Sequence, residues 1–337
     1  MARLLSKGVY EFDKNIMING FGHIVSTFEK KGPLSDYFKN VIKDPYNGEK
    51  TYEKAEASLQ KASLEYALEM SKMKMDELDI ICAGDLINQC TPSSSNLADN
   101  AVPFLGVYGA CSTMAQTIIQ CSMMIEGNFA KKAAAVTSSH FCSAERQYRF
   151  PLEYGGQKPP SAQHTVTGSG CVILKEDTLP GVYIKRCAVG NVVDFGIKDA
   201  NNMGAAMAPA ACDTLIKYFK ATKTSPKDYD LILSGDLGYI GGEILCDLMM
   251  QNQIDISNNY NDCGKMIFDK KKQDTHAGGS GCGCSASVLC AYILPKMLKG
   301  EFKNILFMPT GALMSPLTIM QGMAINGVAH IVHLEVK

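Results

Sequence analysis

A chain of 337 residues has room for a large buried core and, on length alone, for about two domains. Its 46% hydrophobic and 20% charged residues are those of an ordinary globular protein, and a formal net charge of −1 supplies no basic field for nucleic acid. No apolar run approaches the roughly 20 residues that span a bilayer, and Met1 to Lys7 is too short in apolar residues for a secretory signal.

Thirteen cysteines argue for free thiols in a reducing compartment. The count is odd, and Cys82, Cys121, Cys171 and Cys290 sit in apolar runs. Cys282 and Cys284 are separated by a single residue, which is not the spacing of a zinc knuckle.

In chain order, residues 8–25 read as an extended, partly β-like segment that ends among glycines. Residues 30–54 are a polar surface excursion broken by Gly32-Pro33 and Asp44-Pro45. Leu59, Leu64, Ala67 and Met70 recur at helical spacing and predict a helix over roughly 52–73. Asp79 to Ala83 is a short buried strand closed by Gly84-Asp85-Leu86. A polar loop through Thr91-Pro92-Ser93-Ser94-Ser95 leads to a second strand, and Cys111 then opens a buried helix through Met114, Ile118 and Met123 to Gly127. After a strand at 133–137 comes the least regular stretch, 138–169, holding His140, Glu145, Arg146, Arg149, Glu153, Lys158 and His164. A long connection without periodicity predicts a binding loop or lid. Strands at 166–174 and 182–190 follow, then a helix at 203–221 whose Met203 and Met207 read as packing.

The remainder repeats what came before. Cys284 to Gly300 echoes Cys111 to Gly127 at an offset of 173 (284 − 111), and Asp230 to Leu237 echoes Asp79 to Leu86 at 151 (230 − 79). The offsets differ by 22, which places an insertion in the second half near 251–273. Duplicated, alternating strands and helices predict an α/β molecule with a pseudo-twofold axis and halves at 1–178 and 179–337. Ligands of α/β sheets collect where strands end and helices begin. Cys111 and Cys284 both take such turns, so two helix N-termini should meet at one site. There the helix dipole acidifies a thiol and receives carboxylates. Asp85 and Asp236 end equivalent strands and either cap their turns or meet at that site.

A cysteine after Gly-Ala at the mouth of a buried helix, in a duplicated chain, resembles the thiolase and ketoacyl synthase superfamily. Ser285-Ala286-Ser287-Val288 and Thr310-Gly311-Ala312-Leu313 resemble its closing motifs. Longer matches cover nearly the whole chain: GACST (109–113), TSSH (137–140), AERQYR (144–149), EYGGQKP (153–159), TVTGSG (165–170), MGAAMAPAA (203–211), HAGGSGCGCSA (276–286) and TGALMSP (310–316). These resemble the stage V sporulation protein AD family of spore-forming bacteria. The resemblance implies a duplicated, five-layer αβαβα thiolase-like fold and a homodimer. It implies a protein that binds dipicolinic acid (pyridine-2,6-dicarboxylate), with or without calcium, and serves its uptake into the developing spore. No cofactor is implied. The implied station is intracellular, at the forespore inner membrane, reached through integral membrane proteins of the same uptake system.

The alternative under the same resemblance is an acyl-thioester condensing enzyme with Cys111 as nucleophile. Against it, Asp236 stands where ketoacyl synthase III carries a histidine, and Cys282 where it carries an asparagine. An ionised aspartate donates nothing to an oxyanion. His276 precedes Ala277-Gly278-Gly279 and does not match the Gly-His-Pro of thiolases. No catalytic residue is therefore expected. Dipicolinate is expected near Cys111, Asp85, His140, Asp236 and Cys282, clamped by Arg146, Arg149 and Lys158. Asp85 and Asp236 are the candidate calcium contacts.

Overall fold

A computed structural model describes residues 2–148 and 158–337. Its main sheet path runs through ten strands, five from each half of the chain. The first half contributes β1 (Val9–Ser26), β2 (Ile80–Gly84), β3 (Phe104–Gly106), β4 (Lys132–Ser139) and β5 (Gly168–Glu176), in spatial order β3-β2-β4-β5-β1. The second contributes β6 (Val182–Val189), β7 (Leu231–Ser234), β8 (Tyr260–Asp262), β9 (Asn304–Met308) and β10 (Asn326–Val336), in the order β8-β7-β9-β10-β6. In each half the first three strands of that order run parallel and the last two antiparallel. β1 and β6 pair antiparallel and join the halves. The expected extended segment at 8–25 is thus one long strand.

Eight helices matter for the site: α1 (Tyr52–Ser71), α2 (Thr91–Leu97), α3 (Thr113–Glu126), α4 (Phe141–Tyr148), α5 (Met203–Thr222), α6 (Gly238–Gln251), α7 (Cys263–Ile267) and α8 (Cys282–Val288). α8 continues through a π-helical turn at Leu289–Ile293 to Leu298. Thr51 caps α1 by accepting the Lys54 N–H, and Lys72 ends it in a left-handed conformation. α1 lies directly on the sheet because β1 offers glycine there. A Cβ at Gly22 would sit 2.2 Å from the Ser63 carbonyl.

The layering follows from the period-2 alternation of the strands. On β4, Ala133 and Ala135 face one core while Ala134 and Val136 face another. The first core holds Met114, Ile118 and Ile125 of α3 against Cys284, Val288 and Ile293 of the α8 run, with Val172 of the first half and Phe307 of the second. α3 and α8 are therefore a shared middle layer between two sheets, buried all round. α1 covers the outer face of the first sheet with Leu64, Ala67 and Leu68. α5 and α6 cover the second with Met207, Leu215 and Leu245. The result is αβαβα. Burying each such aliphatic side chain contributes about 1.5–3 kcal/mol, so Ile118→Ala in the middle layer should cost about 2–5 kcal/mol.

Three local expectations differ from the structure. The polar run 91–95 forms α2, because Pro92 fits the first helical turn, where a missing N–H is harmless. Helix α4 occupies part of the stretch read as irregular, with His140 accepting the Ala144 N–H at its start. The extra residues of the second half fall mostly in the later part of 251–273 and just beyond it. The edge strands β3 and β8 stand 156 apart (260 − 104), so most of the 22 follow β8, in α7 and the loop to Ser280. The repeats also begin their helices off the cysteines, at Thr113 and at Cys282.

Candidate functional site

Cys111 sits in a turn closed by its own neighbours. The Ser112 hydroxyl donates to the Gly109 carbonyl at 2.6 Å, and the Thr113 hydroxyl to the Ala110 carbonyl at 2.6 Å. Ala110 takes φ 49°, a left-handed conformation that disfavours a residue with a Cβ by about 1–2 kcal/mol. That conformation sets the thiol on the wall of a cleft. Leu86, Ala144, Met203 and Met314 make its apolar wall; Tyr108, Tyr148, Ser280 and Glu145 make the polar one. The Tyr108 and Tyr148 hydroxyls share a hydrogen bond of 3.0 Å, and Tyr148 donates to the Leu86 carbonyl at 2.7 Å.

The start of α8 reaches the same place from the second half. Cys282 packs with Cys111, Leu86 and Ala144, and its thiol donates to the Ser138 carbonyl at 2.9 Å. Beneath them lies Asp236, which is fully buried. It accepts the Thr310 hydroxyl at 2.9 Å and the Gly281 N–H at 3.2 Å. Its carboxylate and the Cys111 thiol are close enough to shift each other's titration. Ser280 approaches the thiol at 4.0 Å.

Electrostatics here run against a thiolate. Burial pushes the Cys111 thiol well above its usual range, and the charge of Asp236 pushes the same way. Asp236 is itself pushed up to about 7, by burial first and by the charge of Asp262, against the Cys111 thiol, the Thr310 hydroxyl and the Gly281 N–H. The expected acidification of Cys111 by its helix is overturned: a partial charge at a helix end does not compensate for full burial beside a carboxylate. The first N–H groups of that corner are also spoken for. Ser112 N–H donates to Gly109 and Thr113 N–H to Ala110.

A family model described as Stage V sporulation protein AD matches residues 6–335. The stage V sporulation protein AD of Bacillus subtilis (strain 168) is 40% identical over 334 residues, covering 99% of this chain and 98% of the relative. The chain belongs to the stage V sporulation protein AD family. Among solved structures, 3-oxoacyl-[acyl-carrier-protein] synthase III from Aquifex aeolicus VF5 superposes with TM-score 0.57 at 10% identity, over 95% of this chain and 99% of its own. Cerulenin-bound OleA from Xanthomonas campestris superposes with TM-score 0.61 at 13% identity, over 96% and 98%. At such identities the likeness is one of fold, and that fold is thiolase-like.

The structure gathers some of the expected site residues of this sporulation-family chain and disperses others. Cys111, Cys282 and Asp236 come together. Asp85 lies close enough to Cys282 to act on its thiol by charge, but its hydrogen bonds stay in its own loop: its carboxylate accepts the Ile87 N–H at 2.8 Å and the Ser93 N–H at 3.0 Å, with the Ser93 hydroxyl beside it. His140 turns away, with Nε2 on the Pro45 carbonyl at 2.8 Å and its ring stacked on Tyr52. Arg146 lies on the outside of α4, paired with Glu53. Lys158 bonds Glu145 of the cleft wall at 3.1 Å and lies 4.5 Å over the Phe141 ring. Arg149 lies outside the described residues. Among the described residues no group of three or more His, Cys, Asp or Glu side chains is placed to hold a metal ion.

Met203, read from the sequence as packing, lines the cleft, because it opens α5 and does not lie in its interior; Met207 is core. Tyr108, Tyr148, Ser280 and Glu145 were not singled out for the cleft, although each flanks or sits within a motif quoted above. Glu56 and Gln60 were missed as well. They are wholly buried on the sheet face of α1, where Ser138 and Ser143 donate to Glu56 and Gln60 reaches Ser93 and Ser138. Polar residues four apart within an apolar helical stripe were the available signal.

Proposed function

We propose that the protein binds dipicolinate in the cleft at Cys111 and supports its uptake during sporulation, with no turnover of its own. The observation that carries this reading is the buried carboxylate of Asp236 set against the Cys111 thiol. A condensing enzyme needs a thiolate and a donor for the developing oxyanion; here the thiol faces a carboxylate, and among the described residues no histidine lines the cleft. What the cleft does offer suits a small planar acid. Apolar walls hold the ring, Ser280 presents a hydroxyl to a carboxylate, and Tyr108 reaches one by turning its O–H from Tyr148. Lys158 supplies a cation alongside Glu145.

A calcium ion brought by the ligand would take its oxygens chiefly from the ligand itself. No helix among the described residues is long and apolar enough to cross a membrane, and we assign attachment at the forespore inner membrane to integral partners. The edge strand β3, with Leu105 41% exposed three residues before the cleft-lining stretch begins at Tyr108, is the surface on which a second copy would pair.

Calorimetry with dipicolinate tests the assignment. Ser280→Ala and Tyr108→Phe should each weaken binding about three- to tenfold, one neutral hydrogen bond each, and Lys158→Ala about tenfold or more. A dianion is better received while Asp236 carries its proton, so affinity should fall as pH rises through about 7. Parent-like binding by all three variants would place the ligand elsewhere. An acyl adduct on Cys111 after incubation with acyl-CoA, read by intact mass, would favour the condensing enzyme instead.

A further inference from the structure

The loop after α7, which has no counterpart in the first half, carries Lys270, Lys271 and Lys272 in succession, all exposed. It is a rigid platform. Asp269 accepts the N–H groups of Lys271 at 2.9 Å and Lys272 at 3.2 Å. Buried Gln273 returns a bond to the Asp269 N–H at 2.9 Å and donates to the Phe28 carbonyl of the first half at 2.7 Å. Beside that tie, Gly32 meets α7 so closely that a Cβ would lie 2.0 Å from the Ile267 carbonyl. Lys31, the residue before Gly32 in that contact, is exposed as well. Lys270 lies 4.3 Å over the Tyr239 ring. Of the nearby acids, Asp269 reaches Lys272 at 3.9 Å and Asp274 pairs with His276 at 3.3 Å, while Glu243 is exposed one turn beyond Tyr239 on α6. The face remains positive in a chain whose net charge is −1.

We propose that this lysine face docks the protein directly onto an anionic phospholipid surface. The four lysines line none of the cavities found at Cys111, Tyr37 and His140, so the shape is not that of a small-ligand site. All the cations are lysines. A lysine ammonium is a hydrated point charge on a flexible stem, suited to a diffuse layer of headgroups, whereas arginine's fork suits a fixed carboxylate. Protein interfaces also centre on apolar and aromatic anchors and are poor in lysine. Clustered lysines near an anionic bilayer contribute about 1 kcal/mol each, roughly fivefold per residue in partitioning. The inference does not depend on what the cleft binds.

Co-sedimentation of the whole protein with vesicles of phosphatidylcholine, with and without phosphatidylglycerol, tests it. Binding should require phosphatidylglycerol and fade as ionic strength rises from about 0.01 M to about 1 M, where the Debye length shrinks from about 30 Å to 3 Å. Reversing the patch with Lys270→Glu, Lys271→Glu and Lys272→Glu should lower partitioning by more than about 100-fold, the loss expected from neutralising three lysines. The same three changes at Lys220, Lys223 and Lys227, exposed at the end of α5 and beyond, should leave it within about threefold, since those charges lie off the patch. A Lys→Gln triple at the patch, with the parent's melting temperature, gives the same sign with a smaller loss should the reversal disturb folding. Indifference of the parent to phosphatidylglycerol would overturn the proposal. So would an equal loss in the α5 control, or binding to polyglutamate with none to vesicles, which would point to an acidic protein partner.

Discussion

Asp85 follows β2 and Asp236 follows β7 at an offset of 151, so duplication set the same carboxylate at the same corner twice. In the first half the chain curls back through α2, and Asp85 is closed off by Ile87 and Ser93 of its own loop. In the second half the position equivalent to Ile87 is Gly238, and its N–H donates to Asp262 at 2.9 Å, as Leu237 N–H does at 2.8 Å. A third carboxylate has taken over the capping. Asp236 is thereby released to look across the pseudo-twofold at Cys111. One carboxylate caps its own loop and the other is turned to Cys111 because of where a neighbouring acid stands.

The largest effect should come from removing the caps. Asp85→Ala leaves the N–H groups of Ile87 and Ser93 buried and unpaired, and Asp262→Ala does the same to Leu237 and Gly238. Each should lower unfolding free energy by about 3 kcal/mol or more. Asp236→Ala, which strands one backbone N–H rather than two, should cost less. Urea unfolding of the three variants checks the ranking; an Asp236 variant as unstable as the Asp85 one would erase the distinction between cap and site.

Titration sharpens the same contrast at intermediate size. Asp236 has a folded value of about 7, against an ordinary value of 3.8. Between those values the folded state holds a proton that the unfolded state has released. The associated stability is therefore complete below about 4 and is lost as pH rises through about 7. Three units correspond to something on the order of 4 kcal/mol. Asp236→Asn removes this dependence, so the variant should gain on the parent as pH goes from 5 to 8, read from urea midpoints. Glu29, Glu56, Asp85 and Asp262 are also raised by burial and contribute slope of the same sign to both proteins. Parallel curves for parent and variant would mean that Asp236 is not the strained acid.

Much of this plan could be read from the chain. The two echoes located the equivalent strands and the corners at Cys111 and Asp236. Direction and burial could not be read from it. Arg146 and His140 looked like ligand contacts because they lie in a polar stretch, but α4 turns Arg146 outward to Glu53, and Pro45 draws His140 away. The acidity of Cys111 was misjudged because a helix N-terminus is legible in sequence, whereas the desolvation that outweighs it depends on what packs above. Asp262, which decides the fate of Asp236, lies in a stretch with no sequence echo in the first half, so the comparison of repeats passed over it.

The smallest effect concerns the two cysteines of the repeat. Cys284 is wholly enclosed in the middle layer, its sulfur 3.3 Å from where a Cβ on Gly279 would stand. Cys284→Ala removes one buried atom and leaves a void too small for water, so stability should fall by about 1 kcal/mol while dipicolinate binding stays unchanged. Cys111 is 5% exposed at the cleft, so Cys111→Ala has solvent or ligand to fill the space and should shift the melting temperature less. It does alter the wall that a ligand touches, and removes the thiol partner of Asp236. Dipicolinate affinity should therefore weaken, by less than about tenfold, since no charged contact is lost. Urea midpoints and calorimetry on the same preparations separate the two roles. If Cys284→Ala weakened dipicolinate more than Cys111→Ala, the ligand would belong to the other corner of the repeat, and the contrast drawn between the two corners would have to be reversed.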